Sequence, residues 1–83
     1  MKDNILLKKL SHRSNYRGCK ETDLLLGKFA KEYLHQLTDE QLIEYDFLLN
    51  QPDLDIYHAF INPSLAPIEL KNLSIWQFIL KIF

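Results

Sequence analysis

The residues able to do chemistry in this sequence gather in one short stretch, Arg17-Gly18-Cys19-Lys20-Glu21-Thr22-Asp23-Leu24. It holds a guanidinium, a thiol, two carboxylates and one of the two glycines. Arginine and glutamate side by side offer charge-assisted hydrogen bonds of opposite sign, and a glycine between them lets another backbone approach closely. That is the chemistry of recognition. A plainer reading explains the same residues by folding: Gly18 closes one helix in a left-handed cap, Arg17 sits at the negative end of that helix, and Glu21 and Asp23 sit at the positive end of the next. From the residues alone both readings stand.

Other chemistries fare worse. Cys19 follows the glycine, where a helix N-terminus would lower its pKa, but a catalytic thiol needs a positioned base and an oxyanion donor, and neither is marked. Glu21 and Asp23 are two positions apart, so on a helix they diverge instead of forming an acid pair. His12, His35 and His58 are spaced 23 residues apart, with no Cys or carboxylate at ligand spacing. There is no glycine-rich phosphate loop. The sequence supports no enzyme, no metal site and no nucleotide site.

The elements that must position this stretch are helices. An apolar stripe at Ile5, Leu6 and Leu10 predicts a first helix over 4–14. Leu26, Phe29, Ala30, Tyr33, Leu34 and Leu37 recur at helical spacing and predict a second over 20–37. Gly27 inside that pattern costs about 1 kcal/mol against alanine, which marks close packing of a neighbouring helix. Thr38-Asp39-Glu40-Gln41 is a capping box. It starts a third helix at Asp39, running to about Asn50, with Leu42, Ile43, Tyr45, Leu48 and Leu49 as its buried face. A fourth helix spans 53–61 between Pro52 and Pro63. A fifth begins at Pro67 and carries apolar residues nearly all round, from Ile68 to Phe83. The expected fold is all-α, a small single-domain bundle of about five short helices over residues 1–83. Its core should include Leu26, Phe29, Leu34, Leu48 and Leu49.

Composition sets the outer limits. A chain of 83 residues buries only about 60–65% of its unfolded surface, so it has room for one core. Ten basic against eleven acidic side chains argue against a nucleic-acid binder, which would show a basic excess. One cysteine excludes an internal disulfide and fits a reducing compartment. The apolar run at Ile5-Leu6-Leu7 is too short for a signal peptide, and no stretch reaches the roughly 18 apolar residues that span a bilayer. The expectation is a cytoplasmic bacterial protein, monomeric and without a membrane or nucleic-acid partner.

Arg17-Gly18-x-x-Glu21, followed by Asp23-Leu24-Leu25-Leu26 and Phe29, resembles the signature of the succinate dehydrogenase assembly factor 2 family. Its bacterial branch is called SdhE and its mitochondrial branch Sdh5. The likeness continues through Phe29-Ala30-Lys31-Glu32-Tyr33-Leu34, Leu37-Thr38-Asp39-Glu40-Gln41-Leu42, Tyr45-Asp46-x-Leu48-Leu49 and Asp53-x-Asp55-Ile56-Tyr57, covering about residues 13 to 61. The resemblance implies a chaperone-like assembly factor. Such a factor binds the flavoprotein subunit of succinate dehydrogenase, or of its relative fumarate reductase, and promotes covalent attachment of FAD to a histidine of that subunit. FAD would belong to the client, and the factor would bind no cofactor itself. The contact face implied centres on Arg17, Gly18 and Glu21, with Tyr16, Asp23 and Tyr57 beside it. Two positions depart from the pattern. Tyr16 stands where many members have a second arginine, and Ala59 where many have a tryptophan. Phe60 next to Ala59 is expected to fill part of that space, although one residue turns a helix by about 100°. The alternative is a generic helical interaction module or regulator with no flavinylation role.

Overall fold

The computed structural model describes residues 4–15 and 20–82. Among them the chain forms six α-helices: α1 (Asn4–Asn15), α2 (Lys20–Tyr33), α3 (Asp39–Leu49), α4 (Asp53–Ile61), α5 (Ile68–Lys71) and α6 (Ser74–Ile82). Single 3-10 turns, Leu34–Gln36 and Pro63–Leu65, follow α2 and α4. No strand occurs among the described residues. The fold is all-α.

The boundary between α2 and α3 has a local cause. At the start of α3 the Thr38 hydroxyl accepts from Gln41 N–H at 3.1 Å, and the Gln41 side chain accepts from Thr38 N–H at 3.0 Å, so the capping box is complete. That cap requires extended backbone before it, and Leu37 is already extended at φ −73°, ψ 146°. The second helix therefore ends earlier than the apolar spacing suggests: its last turn tightens into the 3-10 turn, and Leu37 reaches the core from outside the helix.

The stretch expected as one fifth helix is two. The chain breaks at Asn72–Leu73, and α6 starts afresh where Glu44 of α3 accepts from Ser74 Oγ at 2.8 Å and from Ile75 N–H at 2.9 Å. A carboxylate at a helix N-terminus satisfies an orphan donor and complements the dipole. The break also resolves a packing problem, because apolar residues all round a straight rod cannot face one core. With two axes available, Leu70 of α5 and Ile75, Trp76 and Ile79 of α6 are all buried.

The core is one cluster, with Phe29, Tyr45 and Trp76 its largest fully buried members. Phe29 stacks on Tyr33 at 5.6 Å between ring centroids and meets Phe78 edge-on at 5.9 Å. Leu26, Phe29, Leu34, Leu48 and Leu49 are all buried, as expected. Ile43, expected on the buried face of its helix, is not, and two members of the first helix's apolar stripe also lie outward. Ile5 and Leu6 are 64% and 39% exposed, and Ile43 is 72% exposed. The buried stripe of α3 runs through Leu42, Tyr45 and Leu49, and Ile43 lies about 100° away from it. In α1 the inward stripe is Leu7, Leu10 and Ser14, and the last of these is polar. Gly27 does mark a close approach: a Cβ there would meet Asn15 Oδ1 at 2.6 Å, where α1 lies against α2.

Candidate partner-binding site

The end of α1 and the start of α2, on either side of positions 16–19, are both anchored. At the end of α1, Arg13 donates to Asp46 and, at 2.5 Å, to Asn50 Oδ1, both on the α3 side. One residue on, buried Ser14 donates to Leu10 O at 2.7 Å and lies 2.5 Å from the Tyr45 hydroxyl. With the single serine proton directed to Leu10, the phenol is the donor in that second bond. Asn15 closes the turn by donating to Ser11 O at 2.7 Å.

At the start of α2, Thr22 points inward and its hydroxyl donates to Asp53 O, the first residue of α4, at 3.3 Å. Glu21, one position earlier, is exposed, and Asp23, one position later, is half-buried. The helical turn of about 100° per residue separates the three. Glu21 therefore faces solvent from a helix end whose neighbour in sequence is fixed in the core. Asp53 and Asp55 occupy the first turn of α4 as Glu21 and Asp23 occupy that of α2, each acid complementing a positive helix end.

The structure brings Glu21 and Asp23 to the junction with α4, the helix that carries Tyr57. Tyr57 is half-buried one turn beyond Asp53, with its ring 6.0 Å from that of His58. Tyr16, Arg17, Gly18 and Cys19 lie outside the described residues. Sequence reasoning gave no role to Arg13, Ser14 or Thr22, the side chains that anchor the end of α1 and the start of α2. The signal available for Ser14 was its position, seven residues after Leu7 and four after Leu10.

Ala59 is 3% exposed and forms the floor of a groove of about 470 Å³ between α4 and the 3-10 turn after it. Ile61, Leu65 and Pro67 line the same groove, with Asp55 and His58 at its edge. Phe60 does not fill this space as expected. It packs half-buried against the core on another side of the helix. His12, His35 and His58 are each exposed on a different element. Among the described residues no three His, Cys, Asp or Glu side chains group to hold a metal ion. No helix among them is long and apolar enough to cross a membrane.

Comparison with known families bears on the chain as a whole. The family model described as Sdh5, flavinator of succinate dehydrogenase, matches residues 8–82. The chain belongs to the Sdh5 family. Among curated relatives is the mitochondrial succinate dehydrogenase assembly factor 2 of Dictyostelium discoideum, 46% identical over 67 residues. That alignment covers 81% of this chain and 48% of the relative. The protein of the same name from Kluyveromyces lactis is 52% identical over 61 residues, covering 72% of this chain and 37% of its own length. That from Meyerozyma guilliermondii is 54% identical over 61 residues, covering 72% and 45%. This chain thus spans less than half the length of these relatives.

Proposed function

We propose that this chain is an assembly factor that binds the flavoprotein subunit of succinate dehydrogenase, and of fumarate reductase as its close relative, and promotes covalent attachment of FAD. The observation that carries the reading is the family match over residues 8–82. The geometry supports it, because Glu21 is exposed in the first turn of α2 beside Thr22, which is bonded to α4, while Ser14 anchors the end of α1. Arg17, Gly18 and Glu21 form the centre of the contact face, with Tyr16, Asp23 and Tyr57 at its margin. A carboxylate desolvated against a cation of the client gains far more there than in free solution.

The factor acts as a monomer and is not an enzyme in this reading. The reacting histidine and the flavin both belong to the client. What the factor contributes is the holding of client domains so that the reacting groups align, and such alignment is worth several kcal/mol without any group of the helper reacting. It binds no FAD by itself. Gly27, the one glycine among the described residues, is packed inside a helix against α1, so no glycine loop among them offers backbone N–H groups to a diphosphate. Our reading of the compartment is the bacterial cytoplasm, where the lone thiol stays reduced.

The test is capture. The tagged chain should retain the flavoprotein subunit from a lysate while a titration of the isolated chain with FAD shows no sub-micromolar binding. Capture of another partner without the flavoprotein, or of nucleic acid, would overturn the proposal.

A further inference from the structure

The charge of this chain is unevenly divided. Residues 1–31 hold eight of the ten lysines and arginines and three of the eleven acids. Where α1 lies against α2 and the 3-10 turn after it, a shallow groove of about 260 Å³ opens. Leu7, Ala30 and Leu34 form its floor, and Lys8, Lys31 and His35 stand round it. No carboxylate among the described residues lines it. Lys8 and Lys31 are exposed, and neither has an acid partner among the described residues.

Between α1 and α3 the chain sets Arg13 against Asp46, so the helices meet through opposite charges. Between α1 and α2 it sets two lysines, Lys8 and Lys31, round an apolar concavity. Like charges directed at one place are complementary to something outside the chain.

We infer that this groove seats an acidic segment of a partner protein, an apolar side chain on the Leu7–Ala30–Leu34 floor and flanking carboxylates on Lys8 and Lys31. The inference rests on the reading that the chain acts by binding a protein client, and adds a second contact to it. Lys31 lies ten residues along α2 from Glu21, about 15 Å at the helical rise, so one client can engage both.

The probe is a synthetic decapeptide with a central leucine flanked by glutamates, titrated into the isotope-labelled full chain and followed by amide NMR. Shifts should fall on Leu7, Ala30, Leu34 and His35. Affinity should drop about tenfold or more in the double variant Lys8→Glu/Lys31→Glu, and on raising salt from about 50 mM to about 500 mM. Both substitutions are at exposed positions, and equal melting of the variant establishes that it folds. No shifts, shifts elsewhere, or an equal response to the lysine counterpart of the peptide would overturn the inference. Shifts matched by inorganic pyrophosphate alone would also overturn it, by showing a simple anion site. Capture of the flavoprotein subunit separates the two ideas. A silent peptide with equal capture by wild type and variant removes the groove and leaves the assembly reading. Peptide binding in the groove without any capture of the subunit does the reverse.

Discussion

Ser14 shows how single residues set this fold. It takes a core position in α1 because Leu10 O and the Tyr45 hydroxyl satisfy it there; a buried hydroxyl without such partners would be costly. Tyr45→Phe should therefore destabilise by about 0.5–1.5 kcal/mol, since the buried bond to Ser14 is lost while Ser14 keeps its bond to Leu10 O. For a domain of this size each kcal/mol moves the melting temperature by about 4–8 °C, so thermal unfolding reads the change. Ile43→Ala makes the opposite case. At 72% exposure it should shift stability by less than about 0.5 kcal/mol, and a drop of several degrees would mean that α3 is rotated from its described position. These two residues also mark what the sequence could say at this scale. Hydropathy assigns Ile43 inward and Ser14 outward. Both assignments are reversed, because burial follows helical phase and available partners, not the character of one side chain.

At the scale of elements, the helix starts with local causes were legible. The capping box at Thr38 and Gln41 and the prolines at 52 and 63 fix α3 and α4 to within a residue of expectation. Thr38→Ala should cost about 1 kcal/mol. The break between α5 and α6 was not legible, because its cause lies on another helix: Glu44, some thirty residues earlier, caps the new start. Removing that carboxylate by Glu44→Ala should destabilise by about 1–2 kcal/mol. It should also speed amide exchange at the start of α6 more than in α3, and equal exchange would show that the α6 start does not depend on Glu44. The junction between α1 and α2 was half legible. Its composition pointed to Glu21, and the anchors Arg13, Ser14 and Thr22 emerge only when α3 and α4 are brought against it.

The molecule as a whole is close-packed for its length. A radius of gyration of 11.8 Å equals the roughly 12 Å expected of a compact chain of 83 residues. Stability therefore rests on one shared core, and Phe29→Ala, which removes the ring touching Tyr33, Tyr45 and Phe78, should cost about 3–5 kcal/mol. In a domain this small that loss approaches the whole of its stability. Function by contrast is assigned to the surface, and the two should separate. Covalent flavin on the flavoprotein subunit, read by in-gel fluorescence in cells lacking this chain and in the same cells given wild type or Glu21→Ala, tests that separation most directly. Little covalent flavin is expected without the chain, full recovery with wild type, and loss with Glu21→Ala, even though the variant should melt within a few degrees of wild type. Full flavin attachment in the absence of the chain would contradict the assignment of function, and full attachment with Glu21→Ala would remove Glu21 from it.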